Sequence, residues 1–252
     1  MDRSRIEVDF EDQIAEVTFF HPKANVFSFE QLMGLAVTFH HLGQDDRIKV
    51  IVLRSFGEKV FSAGAYLDEL LELDNVQAGE DLFWGFAQLI LSMIRCPKLI
   101  VSCIEGKVIG GAVGLVTACD HTIATSGVSV RLSELSIGIG PFVIEPIIRR
   151  RIGLAHFMAL SLDPEHQRTA DWCKAVGLVD EVVAGRAELE NEIQNFTQRV
   201  STYSFEAVRE MKKVFWEDTA HWDELLRKRA TISARLALTP YVKEALIQFK
   251  KK

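Results

Sequence analysis

The chain has 252 residues, 48% of them hydrophobic, and a formal net charge of −6. This length and apolar content support a sizeable core, either in one domain with a C-terminal appendage or in two domains. The acidic balance and the lack of a basic stripe with interleaved aromatics argue against a nucleic-acid partner, and the Lys250–Lys252 run reads as a solvated tail.

Residues Ile6 to Phe20 alternate roughly and contain no Pro or Gly, which predicts two short strands turning near Glu11-Asp12. His21-Pro22-Lys23 breaks the pattern. Ser28 is placed to cap a helix over Phe29 to Gly43. Val50 to Leu53 is a short, wholly apolar strand, and Phe61-Ser-Ala-Gly is a turn followed by a helix from Ala65 to Leu73. Glu80 to Arg95 is a longer amphipathic helix, stopped by Cys96-Pro97. Leu99 to Ile104 is a buried strand feeding a glycine-rich turn and a small-residue helix to Ala118, with short strands at His121–Ala124 and Ser129–Leu132. Strands alternating with helices imply an α/β architecture with parallel pairing. From Ala187 onward the periodicity is helical, over Glu188–Ser201, Ser204–Trp216, Trp222–Leu238 and Tyr241–Phe249. That strandless tail is expected to pack on the α/β body or on another subunit.

The four cysteines, Cys96, Cys103, Cys119 and Cys173, have no Cys-x-x-Cys spacing, so neither a zinc nor a redox motif is supported. The histidines show no metal-ligand spacing, and no metal site is expected. The first residues contain no apolar signal-peptide segment and no run is long enough to span a membrane. The expectation is a soluble, cytoplasmic protein with no membrane association.

Three features carry chemistry. Gly110-Gly111 follows a buried strand and opens a helix. Helix N-termini present unpaired N–H groups and the positive end of a dipole, and glycine lets a ligand approach closely. The bland alternative is tight strand–helix packing. Ala63-Gly64-Ala65 is a second such turn, ordinary taken alone. Together the two turns can supply the converging N–H donors that an oxyanion requires. Glu134 sits among apolar neighbours just before Gly138 and Gly140. Partial burial would raise its pKa towards the range useful for proton transfer, whereas a salt bridge to Arg131 is the structural alternative. Glu145, before Pro146, is a possible second carboxylate or a helix-start residue.

Taken in order, His21-Pro-Lys-Ala-Asn25, Val50-Ile-Val-Leu-Arg-Ser55, Phe61-Ser-Ala-Gly-Ala65, Gly106-Lys-Val-Ile-Gly-Gly111 to Asp120, Ser133-Glu134, Gly138-Ile-Gly-Pro141 and Glu244 to Phe249 resemble the crotonase (enoyl-CoA hydratase/isomerase) superfamily. The resemblance implies a spiral of repeated ββα turns over residues 1–190 and a helical region over 191–252 that makes trimers, often paired into hexamers. It implies an acyl-CoA thioester as substrate, with no cofactor besides the CoA that the substrate carries. The N–H groups of Ala65 and Gly111 would hold the thioester oxygen and Glu134 would be the acid/base. Lys23, Ala24, Ala63 and Ala65 would lie along the CoA, and Phe249 would reach the CoA of a neighbouring subunit. Tyr66, Gly114, Pro141, Phe142 and Glu145 are candidates for the acyl pocket.

Two departures from the family pattern matter. The helix after the double glycine has Gly114 where hydratases typically carry a glutamate, and Tyr66 stands where Asp is frequent. Water addition divides its proton transfers between two carboxylates, whereas moving a double bond from the 3- to the 2-position needs only one. The single Glu134 therefore favours an enoyl-CoA isomerase. The alternatives are hydration, including that of branched enoyl-CoAs, and a non-catalytic CoA- or RNA-binding role.

Overall fold

The computed structural model describes residues 4–250. Strands β1 (Arg5–Glu11) and β2 (Ile14–Phe20) form an antiparallel hairpin whose turn holds Asp12 at φ +51°. Ala15, Val17 and Phe19 face the core, as strand alternation requires. Helix α1 (Phe29–Gln44) starts where Ser28 Oγ accepts a hydrogen bond from the Gln31 N–H.

Three strand–strand–helix turns follow. The first is β3 (Val50–Ser55), β4 (Val60–Ser62), α2 (Leu67–Glu72) and α3 (Val76–Arg95). The second is β5 (Leu99–Ile104), β6 (Lys107–Ile109) and α4 (Gly111–Ala118). The third is β7 (His121–Thr125), β8 (Ser129–Arg131), a 3-10 turn over Glu134–Ile137, and α5 (Glu145–Ser161). In each turn the first strand joins one sheet and the second strand another. The larger sheet has the order β1-β2-β3-β5-β7-β10 and the smaller β4-β6-β8-β9, where β9 is Arg168–Thr169 and β10 is Glu181–Val183. In the larger sheet all pairings from β2 to β10 are parallel, and in the smaller one β9 runs antiparallel to β8. This is the ββα spiral that the sequence implied. Short α6 (Ala170–Ala175) precedes β10.

The main core lies between the larger sheet and helices α1, α3 and α4, with Ile51, Leu53, Ile100, Leu89 and Leu115 inside it. The opposite face of the sheet, Val50, Val52, Val101 and Ile123, is sealed by Leu189, Ile193 and Val200 of α7 (Arg186–Ser201). The boundary expected at residue 190 thus falls inside a helix that belongs to the packing of the sheet. Helices α8 (Phe205–Phe215), α9 (Trp222–Ala237) and α10 (Pro240–Phe249) complete the chain. Helix α9 packs along α3, where Gly79 admits Ala234, since a Cβ on Gly79 would lie 2.9 Å from that of Ala234.

All four cysteines are free and buried, and burial pushes the thiols of Cys103, Cys119 and Cys173 up to about 12. They are core residues. Among the described residues no helix is long and apolar enough to cross a membrane.

One buried ion pair ties the helical tail to the sheet. Lys212 Nζ of α8 sits 2.7 Å from Asp120 Oδ2, and both side chains are almost fully covered. The ammonium also donates to the Lys98 carbonyl, and Asp120 accepts from the Ile100 N–H and the Trp216 indole. Removing one partner of such a pair leaves the other charged and uncompensated. Lys212→Met is therefore expected to cost about 3–5 kcal/mol of unfolding free energy, measured by urea denaturation. A loss near zero would show that the pair is solvated.

Candidate active site

The glycine turn joins β6 to α4. Gly110 adopts φ +58°, a region L-residues avoid, and its N–H donates to the Arg131 carbonyl. A Cβ on Gly110 would lie 3.0 Å from Glu134 Oε1, and one on Gly111 would lie 2.4 Å from the Phe86 ring. The two glycines thus serve two close approaches, one to a carboxylate and one to an aromatic wall.

The second turn abuts the first. Gly64 is at φ +85°, and a Cβ there would lie 2.8 Å from the Ile109 carbonyl and 3.3 Å from the Gly111 nitrogen. Phe27 fixes the orientation of Ala65: its N–H donates to the Gly64 carbonyl, and its carbonyl accepts from the Tyr66 N–H. This one-rung parallel bridge turns the Ala65 N–H away from Phe27. Among the described residues, neither the Ala65 nor the Gly111 N–H donates to a protein acceptor. Gly111 is the first residue of α4, where N–H groups have no partner within the helix. The structure therefore brings the two expected donors onto adjoining loops.

Glu134 opens the 3-10 turn after β8. Part of the residue reaches the surface, but Oε2 is sealed and has no hydrogen-bond partner. Burial pushes its carboxyl up to about 7, opposed only by a hydrogen bond to its own backbone. The alternative salt bridge does not form: Arg131 Nε is itself buried without a partner. Gly138, in the left-handed region at φ +83°, ends the turn, and the Ile139 N–H returns to the Glu134 carbonyl.

An open cavity connects these groups. Ala63, Ala65, Gly110, Gly111 and Glu134 line it, as do Pro141 and Phe142, and the remaining wall is mostly apolar. Three other pocket candidates lie outside the lining. The Tyr66 ring packs beside His21, and its hydroxyl accepts from Lys23 Nζ at 3.2 Å. Glu145 starts α5, where Arg149 and Arg229 flank its carboxylate at 3.5 and 3.3 Å. Gly114 is covered by Ile144, since a Cβ there would lie 2.4 Å from Ile144 Cγ2. The position of the missing glutamate is thus occupied by a neighbouring aliphatic side chain.

The turn expected to run along the CoA is tied down by hydrogen bonds. Ala24 and Asn25 both have positive φ, and the Ala24 carbonyl accepts from the Ala63 N–H. The buried Asn25 side chain accepts from the His21 N–H and donates to the Phe56 and Val60 carbonyls. Lys23 and Lys250 flank Asp68, each at 2.5 Å, and hold its carboxyl well below the usual range. Phe249 is exposed near the end of α10, a helix that packs on α2 and the 3-10 turn of its own chain. Sequence reasoning missed Asn25 as the clamp of this turn, Phe86 and Ile144 as walls, and Ser133, a second polar lining residue beside Glu134. Asn25 and Ser133 lie within runs that point to the site, whereas Phe86 and Ile144 carry no local signal.

Comparisons with known proteins establish the family and the fold. The model of the enoyl-CoA hydratase/isomerase family matches residues 9–252. The bacillaene synthase dehydratase PksH of Bacillus subtilis is 30% identical over 183 residues, covering 69% of this chain and 67% of that protein. A short-chain-enoyl-CoA hydratase of Clostridium acetobutylicum is 25% identical over 215 residues, covering 84% of this chain and 81% of that one. The crystal structure of an enoyl-CoA hydratase from Bacillus halodurans superposes with a TM-score of 0.91 at 22% identity, covering 96% of this chain and 99% of that chain, a likeness that speaks to the fold. The ββα spiral and the family match define an acyl-CoA enzyme of the crotonase class. The chain belongs to the enoyl-CoA hydratase/isomerase family.

The raised Glu134 pKa has a consequence for stability. A carboxyl whose folded pKa, about 7, exceeds its ordinary value of 4.5 favours the folded state only while protonated. That contribution is complete below about pH 4.5 and is lost as pH rises through 7. Relative to wild type, Glu134→Gln is expected to gain on the order of 3 kcal/mol between pH 4.5 and 9, in paired urea denaturations. An unchanged difference across that range would mean the carboxylate is solvated.

Proposed function

We propose that this enzyme moves a carbon–carbon double bond between the 3- and 2-positions of an enoyl-CoA thioester. The observation that carries this reading is the single buried carboxylate in the cavity, with Ile144 over Gly114. Glu134 takes a proton from Cα, and the electron pair moves onto the thioester oxygen. The Ala65 and Gly111 N–H groups and the N-terminus of α4 hold that oxygen as the dienolate forms. Glu134 then returns the proton at Cγ, leaving the double bond at the 2-position. Atoms and charge balance without water or a cofactor. A pKa of about 7 suits both halves, because the group accepts and donates with similar ease at neutral pH.

The other groups near the cavity do not offer a second acid/base. Two arginines hold Glu145, Lys23 engages Tyr66, and the Ser133 hydroxyl does not titrate in the working range. In this reading Lys23, Ala24, Ala63 and Ala65 line the path of the CoA. Phe249, exposed near the end of α10, would reach the CoA of a neighbouring subunit. The protein assembles as a homo-trimer or a hexamer. Exposed apolar side chains on α5 and α8, including Leu154, Met158, Met211 and Phe215, are candidates for the contacts.

The names of the two sequence relatives favour a second reading, water addition to, or removal from, an enoyl thioester. Mass analysis of the products from 3-hexenoyl-CoA and crotonyl-CoA separates the two. The expected result is a 2-hexenoyl isomer of unchanged mass and little hydration of crotonyl-CoA; faster hydration would establish the second reading. Glu134→Gln is expected to lower kcat by roughly 10²–10⁴-fold. In the wild type, kcat/KM should rise with pH to a plateau, with its inflection near 7. Near-normal turnover by the variant would remove Glu134 from the mechanism.

A further inference from the structure

We infer that the pocket accepts an acyl chain bearing a neutral oxygen function, a hydroxyl or a carbonyl, near its far end, and that Ser233 recognises it. The inference rests on the reading of this cavity as the acyl site.

The lining is apolar except for three side chains. Ser133 and Glu134 stand together at the Gly110 turn, where a Cβ on Gly110 would meet both. Ser233 comes from α9, a separate wall. The residue is only 1% exposed, yet it lines the cavity, and its hydroxyl makes no hydrogen bond with any described residue. Several helical threonines in this protein bond to a carbonyl four residues earlier, as Thr117 does with Val113, Thr197 with Ile193 and Thr231 with Arg227, whereas Ser161 of α5 has no such partner. Ser233 also lacks one. The hydroxyl opens to the cavity and engages no described protein group, so it adds nothing to the helix, where alanine is the better helix former. The missing partner is supplied when the ligand brings one.

Helix α3 gives the scale. Phe86 touches the Gly111 position at the oxyanion end, and Gly79 touches Ala234, the neighbour of Ser233. Seven residues of helix separate these contacts, about 10 Å along the axis. That is the reach of a medium-length acyl chain. The charge around Ser233 fixes the class of oxygen. Arg229, one helical turn earlier, is engaged by Glu145, and no lysine or arginine lines the cavity. A terminal carboxylate would be buried without a counter-ion, whereas a neutral hydroxyl or carbonyl pairs with the serine, which both donates and accepts.

The test is calorimetric titration of wild type and Ser233→Ala with saturated acyl-CoAs, which bind without turnover. Plain and ω-hydroxy ligands from hexanoyl to decanoyl are compared. At the matching length, Ser233→Ala should weaken the ω-hydroxy ligand about ten-fold or more and leave the plain ligand unchanged or tighter. Equal effects on both ligands, or none, at every length would overturn the role of Ser233 while leaving the acyl-CoA reading intact. If wild type binds no acyl-CoA, that reading itself fails and this inference falls with it.

Discussion

The burial of the Glu134 carboxyl, with no cation beside it, is the constraint to which the rest of the site answers. A carboxylate next to Arg131 would be an ordinary ion pair with a depressed pKa. Here burial outweighs a hydrogen bond to the residue's own backbone and pushes the group up to about 7. The arrangement needs a surface that approaches closely without competing polarity, and Gly110 provides it, since any Cβ there would crowd Oε1. The same turn opens α4 and leaves the Gly111 N–H free. The proposed acid/base group and one half of the proposed oxyanion hole are therefore set by two adjacent glycines.

The surrounding elements hold that turn in place from several sides. Phe27 pins Ala65 through two backbone hydrogen bonds, so the second donor is oriented by a residue at the entrance to α1. Phe86 backs Gly111, and the same helix α3 extends to the α9 contact at Gly79. Helix α10 buttresses the other side: Tyr241 and Val242 lie against Gly138 at the end of the 3-10 turn. Lys243 donates to the carbonyls of Leu70, Leu71 and Leu73, closing the C-terminal end of α2. Leu67 and Leu70 of α2 line the cavity, so the last helix of the chain fixes one wall of the site. Here the ββα spiral places the proposed reactive groups and the helical tail shapes the space around them.

Much of this was legible in the sequence where a local signal exists. Ser28 caps α1 as expected, Cys96-Pro97 ends α3, and the apolar run Leu99–Ile104 is a buried strand feeding the glycine turn. Some boundaries shifted for identifiable reasons. Helix α3 begins at Val76 because Asn75 Oδ1 accepts from the Ala78 N–H, a cap that precedes the strongly periodic stretch. Helix α2 begins at Leu67 because the Phe27 bridge holds Ala65 and Tyr66 extended. Helix α5 carried no clear periodicity: Gly153 interrupts it at φ +76°, and Leu154 and Met158 face outward. Three-residue strands such as β4 and β6 are too short to show alternation. Within the site, the two donor turns and Glu134 were visible as motifs. Ile144 over Gly114 and the absence of a partner for Glu134 were not, because both depend on residues brought together only by the fold.

The proposed chemistry depends on the ionisation of one carboxyl group, and that can be observed directly. The measurement is a pH titration by carbon NMR of protein labelled at the glutamate side-chain carboxyl carbons, for wild type and Glu134→Gln. One resonance is expected to titrate near pH 7 in the wild type and to be missing from the variant. If the resonance lost in the variant titrates in the ordinary carboxylate range, Glu134 is solvated or paired. The proposed single-carboxylate chemistry would then lose its physical basis.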